Sequence, residues 1–235
     1  MARRRPEESD IRIRPAKSTR RRSKDRPSHS DSIAAQVITV DRGRTLCRIA
    51  SGQLVSAMKA RELGKNSVVV GDLVNIVGDV SGDTGSLARI VAVQPRRNSL
   101  SRTIDDAGAF EKTIAANLDQ MIIVAASADP SPRQGFIDRC LAVAFDQGIK
   151  PIIVMSKADL ADPDEFLSAY KDLEVEYLKL KRGDDLTQLH KILEAKVSVL
   201  IGHSGVGKST LVNALLGIEK RDTGDVNLTT GRGRH

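Results

Sequence analysis

The sequence is short of aromatic residues, with four Phe, two Tyr and no Trp in 235 residues, and it holds only two cysteines. Cys47 and Cys140 lie far apart and without C-x-x-C spacing, so neither a disulfide framework nor a cysteine-based zinc site is suggested, and both are expected to be small buried hydrophobes. Long apolar runs are missing too. The longest, Met121 to Ala126, is far below the roughly eighteen residues a membrane-crossing helix needs, and the arginine-rich start has no apolar signal segment behind it. The expectation is a cytoplasmic protein with no membrane contact, acting as a monomer. There are no internal repeats. What the sequence does have is an apolar content of 40%, enough for a core in one large domain or two smaller ones.

The net charge of +7 is unevenly spread. Residues 1–32 carry 11 Lys/Arg against 5 acids, whereas the remaining 203 carry 26 against 25. A segment rich in Arg, Ser and Pro buries too little surface to offset the entropy of ordering, so a disordered basic tail is expected over 1–32. Its charge suits a polyanion such as RNA, because guanidinium groups fork onto phosphates and each neutralised phosphate releases counterions. A tail that only aids solubility is the plainer alternative.

Short β-rich runs follow at Gln36 to Val40, Thr45 to Ile49, Leu54 to Met58, Ser67 to Val70, Leu73 to Val77 and Ala88 to Val93. Turn residues such as Gly43, Gly52, Gly71 and Gly82 separate them, which is the spacing of a small antiparallel barrel of the oligonucleotide-binding (OB) kind over residues 33–98. That segment contains no Phe, Tyr or Trp, so base stacking is excluded as its binding mode. Any RNA contact there would read backbone and shape through Arg42, Arg44, Arg48, Lys59, Arg61 and Lys65. A barrel that is only a spacer remains the alternative.

Pro95 to Ser99 reads as a linker. From residue 99 to 235 strands and helices alternate: strand Gln120 to Ala126, helix Gly135 to Gln147, strand Pro151 to Met155, helix Pro163 to Leu173, strand Glu176 to Leu180, helix Asp185 to Ala195, strand Val197 to Ile201 and helix Lys208 to Leu216. Such alternation predicts a parallel sheet covered on both faces. All six aromatics fall in this half, as expected core or helix-packing groups.

Two motifs carry chemistry. Gly202, His203, Ser204, Gly205, Val206, Gly207, Lys208 and Ser209 fit the phosphate-binding loop G-x-x-x-x-G-K-[ST], between a strand and a helix. Backbone amides from Gly205 to Thr210 can face a β-phosphate at a helix N-terminus, Lys208 supplies a charge between the β- and γ-phosphates, and the Ser209 hydroxyl is placed for Mg²⁺. His203 and Val206 occupy variable positions and are read as structural. The second motif, Ser156, Lys157, Ala158 and Asp159, comes some forty residues earlier. In N-K-x-D the aspartate accepts from N1–H and N2–H of guanine, a donor pair adenine lacks, and Asp159 can do the same. Ser156 stands for the usual Asn and is expected to lose the amide that ties the base loop to the phosphate loop.

The order is inverted relative to ordinary GTPases. The basic tail, the short barrel, Asn117 to Gln120, Ile137 to Arg139, Ser156 to Asp159, Gly202 to Thr210 and Gly231 to His235 together resemble the circularly permuted small-ribosomal-subunit biogenesis GTPases, the RsgA or YjeQ family. The resemblance covers residues 34 to 235. It implies an OB-fold barrel followed by an α/β P-loop GTPase domain, circularly permuted, that binds GTP with Mg²⁺, associates with the small ribosomal subunit and its rRNA, and hydrolyses GTP faster there. Three departures limit it. Ser156 is one; another is the base-contacting S-A-L element, for which Leu178 to Gly183 offer no clear equivalent. Third, the family continues after the Gly231 to His235 element with a switch threonine, a D-x-P-G segment and a zinc module, none of which is among these residues. An incomplete GTPase domain, with zinc ligands absent, GTP binding retained and turnover weak or absent, is therefore expected, and the catalytic group is not identifiable. Thr229 and Thr230 receive no metal role. Competing readings are an RNA-binding barrel protein with a vestigial nucleotide domain, and a P-loop ATPase or kinase, which Asp159 disfavours.

Overall fold

Strands with one apolar face each open the architecture of the computed structural model, which describes residues 30–41, 43–64, 67–103 and 111–217. β1 (Ile33–Asp41), β2 (Arg44–Ile49), β3 (Leu54–Lys59), β4 (Leu73–Gly78) and β5 (Ala88–Val93) close a barrel in the order β1-β2-β3-β5-β4. The β3–β5 pair is parallel and the other pairs are antiparallel, with β4 returning to β1. Period-two alternation sends Val37, Cys47, Val55, Ala57, Val74, Ile76 and Ile90 inward as one core. Closure leaves no sheet edge to protect, and each large side chain buried there stabilises the fold by about 1.5–3 kcal/mol. Burial raises the Cys47 thiol to about 11, as for a packed hydrophobe.

Two expected elements differ. Ser67 to Val70 forms no strand, and Val70 keeps only an isolated bridge to Ala115. The reason is local. The fully buried Asp72 carboxylate accepts the Val69 N–H at 2.8 Å and two guanidinium bonds from Arg96, at 2.7 and 3.0 Å, which curls the segment away from a ladder. The expected linker at Pro95 to Ser99 is instead a bonded junction. The Arg97 guanidinium donates to the carbonyls of Asn117 (3.2 Å) and Leu118 (3.1 Å) and to Asp119 Oδ1 (2.8 Å). Asn98 exchanges side-chain bonds with the Leu118 carbonyl and amide, both at 2.8 Å. Ser99 then begins β6 (Ser99–Thr103), paired antiparallel with β7 (Glu111–Ala116), a ribbon the sequence did not announce.

The second half is a parallel sheet in the order β10-β9-β8-β11, built from β8 (Gln120–Ala126), β9 (Lys150–Ser156), β10 (Glu176–Lys179) and β11 (Ser198–Ile201). The fully buried β8 divides its side chains by parity. Met121, Ile123 and Ala125 join α1 (Gln134–Asp146) and α2 (Asp164–Ser168) in one core, and Ile122, Val124 and Ala126 join α3 (Thr187–Leu193) and α4 (Lys208–Leu215) in the other. A sheet sandwiched between helices follows, as the alternation predicted. Cys140 sits in the first core with its thiol raised to about 11, chiefly by burial.

The helix expected from Pro163 to Leu173 is only α2 plus a 3₁₀ turn at Lys171–Leu173. The Ser168 hydroxyl donates to the Glu165 carbonyl at 2.6 Å, and Glu174 takes a left-handed φ of 51°, which closes the segment against β10. Tyr170 turns into the core, with its hydroxyl donating to Asp138 at 2.9 Å. Aromatic packing holds for Tyr170, Phe136 and Phe166, but Phe145 and Tyr177 are half exposed. Phe110, the tail through residue 29, Arg42, Lys65 and the Thr229, Thr230 and Gly231 to His235 elements lie outside the described residues.

Asp119 joins the junction to β11. Its Oδ2 accepts the Val197 N–H at 2.8 Å, and this bond, followed by the Arg97 guanidinium, holds its carboxyl below the ordinary 3.8. A carboxylate depressed in the folded state contributes stability that is complete above the unfolded value and is lost as pH falls through the folded one. The urea midpoint of the native chain is therefore expected to fall more steeply below about pH 4 than that of Asp119→Asn, the two curves converging in acid. Parallel curves would show that Asp119 carries none of this linkage.

Candidate functional site

The loop from Gly202 to Gly207 leaves the C-terminal end of β11 and enters α4, with Gly207 as the helix N-cap. It lies beside β8, whose other neighbour is β9, so it occupies the point where strand order reverses. The close approach explains the first glycine. A Cβ at Gly202 would stand 2.3 Å from the Val124 carbonyl oxygen, with Val206 Cγ2 at 3.1 Å on the other side. Val206 is buried in the core under the loop. His203 packs on Phe136 with ring centroids 4.3 Å apart, and its Nε2 is buried with no hydrogen-bond partner among the described residues. Both variable positions thus pack against the scaffold, while Ser204, Gly205, Ser209 and Thr210 are exposed.

The Lys208 ammonium folds across the loop and donates to the carbonyls of Gly202 (2.6 Å) and His203 (2.5 Å). Desolvation holds its pKa below 10.5. Ser209 follows it in the first turn of α4. A magnesium ion keeps most of its six ligands as water and phosphate oxygen, so one protein hydroxyl beside a phosphate cradle fits it. No group of three or more His, Cys, Asp or Glu that could hold a metal occurs among the described residues.

The second motif sits at the end of β9, beside the first. The Ser156 hydroxyl lies 2.7 Å from the Val206 carbonyl and 3.2 Å from the Ala125 carbonyl, so the shorter bond joins the two motifs directly across fifty residues of sequence. The amide is lost as expected, but the loosened tie is corrected, because the Ser156 hydroxyl itself bonds the phosphate loop across the packed β8 and β9 ends. Lys157 adopts a left-handed φ of 55° and its ammonium donates to the Asp129 carbonyl. Ala158 N–H donates to the Leu180 carbonyl at 3.1 Å, which sets the following Asp159, exposed, at the mouth of a cleft of about 360 Å³ shared with Lys179 and Lys181. A second cavity of about 180 Å³ lies against the phosphate loop, lined by Arg133, Phe136, His203 and Ser204.

The candidate basic residues of the barrel that are described lie on β2, at the end of β3 and on the turn after it. Arg44 and Arg48 alternate outward on β2, and Arg48 donates to Gln36 at 3.1 Å. Lys59 ends β3 with its ammonium on the Gly64 carbonyl at 2.6 Å, and Arg61 is exposed on the 3₁₀ turn that follows. Sequence reading missed Lys181 at the cleft, and it missed Arg96 and Arg97, although two adjacent arginines directly before a polar run were a visible signal.

A closed five-stranded barrel followed by a parallel sheet, with a G-x-x-x-x-G-K-S loop after β11 and the S-K-A-D loop earlier in the chain, defines a P-loop GTPase fold of permuted strand order. The chain belongs to the RsgA GTPase family, whose profile matches residues 93–235. It is 40% identical over 179 residues to the small ribosomal subunit biogenesis GTPase RsgA of Shewanella oneidensis, covering 72% of this chain and 50% of that protein. The protein of the same name from Nitrosospira multiformis is 39% identical over 180 residues, covering 73% and 53%. The chain thus spans about half the length of the curated relatives it matches. Among solved structures, YjeQ from Thermotoga maritima superposes with a TM-score of 0.63 at 25% identity, covering 81% of this chain and 66% of that one. YloQ, described as a circularly permuted GTPase, gives 0.60 at 22% identity with the same coverage, a likeness of fold.

Proposed function

We propose that this chain binds GTP and serves maturation of the small ribosomal subunit. The observation that carries the reading is the Ser156 to Val206 bond. It joins the two motif loops directly, although the chain visits them in inverted order, and so supports a shared site. In this reading the amides from Gly205 to Thr210 cradle the β-phosphate at the N-terminus of α4. Lys208 exchanges its loop carbonyls for β- and γ-phosphate oxygens, and Asp159 accepts N1–H and N2–H of guanine. Ser209 holds a magnesium ion, which when bound would neutralise charge developing on the phosphates.

Hydrolysis of GTP is the reaction the relatives' names imply, and the small subunit is the partner they imply. The barrel contacts rRNA through the outward Arg44 and Arg48, together with Arg42, Lys59, Arg61 and Lys65. Such contact weakens steeply with added salt. The protein acts in the cytoplasm as a monomer.

Guanine reading is tested at Asp159. Exchange of its carboxylate for an amide in Asp159→Asn turns an acceptor into a donor, which suits the O2 carbonyl of xanthine in place of the N2 amine of guanine. Fluorescence titration with N-methylanthraniloyl-GTP is expected to show a loss of GTP affinity of about 100-fold, with xanthosine triphosphate becoming the better competitor. Equal competition by ATP and GTP against the native chain would discard the guanine reading.

A further inference from the structure

The cleft that Asp159 borders has a second charged wall. Lys179 and Lys181 line it from the end of β10 and the turn that follows, opposite the loop from Ala158 to Asp164. Lys179 is committed, its ammonium pairing with Asp164 and lying 3.8 Å from Asp162. Lys181 is exposed, and its ammonium is the one cation of this cleft with no ion pair among the described residues. Its backbone is fixed, however. The Lys181 N–H donates to Asp184 Oδ2 at 2.7 Å, the Asp184 N–H returns to the Lys181 carbonyl at 3.3 Å, and the preceding Leu180 donates to the Met155 carbonyl at 2.8 Å. The Leu180 carbonyl in turn accepts Ala158 N–H at 3.1 Å. Asp159 and Lys181 therefore spring from neighbouring backbone points, each one residue beyond a shared hydrogen bond.

Resting on the guanine reading above, we propose that Lys181 determines purine specificity, its ammonium taking guanine O6 while Asp159 takes N1–H and N2–H. The chemistry is complementary along one base edge. Guanine presents an acceptor at C6 next to its two donors, so an anion and a cation side by side match it. Adenine places an amine at C6, which a cation repels, and has no N1–H for Asp159. The main-chain N–H of Lys181 already belongs to Asp184, which leaves the side chain to make this contact. The sequence segment from Leu178 to Gly183, which lacks an S-A-L element, thereby supplies a lysine to the lining of the cleft that Asp159 shares.

The test uses 6-thio-GDP, which keeps N1–H and N2–H but replaces O6 by a poor acceptor. In calorimetric titrations of the full chain, native protein is expected to prefer GDP over 6-thio-GDP by about tenfold, as suits one charge-assisted hydrogen bond. Lys181→Met keeps the stem, and the ratio should collapse to about one with GDP affinity itself reduced about tenfold. Lys181→Arg should retain the preference, and Asp159→Ala should weaken both ligands alike. An unchanged ratio in Lys181→Met overturns the role of Lys181 and leaves guanine binding in place if the Asp159→Ala loss persists. Failure of native protein to bind either nucleotide overturns both readings together.

Discussion

Gly71→Ala is expected to destabilise the chain by about 3 kcal/mol, because its Cβ would make the shortest contact of any described glycine. Gly71 sits at φ +88°, where a side chain is strained by about 1–2 kcal/mol, and its Cβ would fall 2.0 Å from the Ala116 carbonyl oxygen. No rotamer relieves a clash between Cβ and backbone, so one of the two segments must shift. The shift is costly because Gly71 bonds on both sides, its N–H to the Val37 carbonyl at 2.9 Å and its carbonyl from Asn117 Nδ2 at 3.0 Å. The Asn117 Oδ1 also accepts the Arg97 N–H at 2.8 Å, so the displacement propagates from barrel to sheet. Gly148→Ala is the control. It shares a positive φ, +62°, with nothing within 4 Å, and should lose only the strain of about 1 kcal/mol. Urea unfolding that gives the two variants equal midpoints would show that the contact at Ala116 carries no weight.

Lys208→Ala should abolish tight nucleotide binding while leaving the fold intact. The ammonium is the charged group set across the phosphate loop, and truncating one partner of a desolvated charge pair costs about 2–5 kcal/mol, or roughly 30- to several-thousand-fold in affinity. Folding answers differently. Desolvation lowers the pKa of Lys208, so between the folded value and 10.5 the unfolded chain binds more protons and stability rises with pH. Below that window the partly buried charge is a standing penalty, and its removal offsets the lost bonds to Gly202 and His203. The melting temperature of Lys208→Ala without nucleotide is expected within a few degrees of native, and the rise in stability at alkaline pH should flatten. Nucleotide phosphates stabilise the ammonium, so affinity is strongest below the folded pKa and declines above it. Undiminished binding of N-methylanthraniloyl-GDP by Lys208→Ala would remove the loop from the site.

Much of the site was legible because its signals are local. A glycine-rich loop between an apolar strand and a helix needs only short-range spacing, and β8 announced burial on both faces by its uninterrupted apolar run. Lengths were less legible. The helix after Pro163 stops early because Ser168 bonds its own turn and Tyr170 turns inward to Asp138, the second a partner 32 residues away in sequence. Ser67 to Val70 has strand composition, yet the buried Asp72 and Arg96 take its backbone.

The sequence alone determined that the chain holds a barrel and a parallel α/β sheet, and it marked the loop after Gly202 and the segment ending at Asp159 as the candidate nucleotide site, since these rest on local periodicity and on residue chemistry at fixed spacing. Tertiary structure alone decided that Ser156 reaches Val206, that Arg97 and Asp119 bind the barrel junction to the start of β11, and that Lys181 faces the cleft of Asp159. Those contacts join segments 22 to 78 residues apart. Nothing in a one-dimensional pattern fixes which distant carbonyl or carboxylate a polar group will meet; the packing of the sheet does.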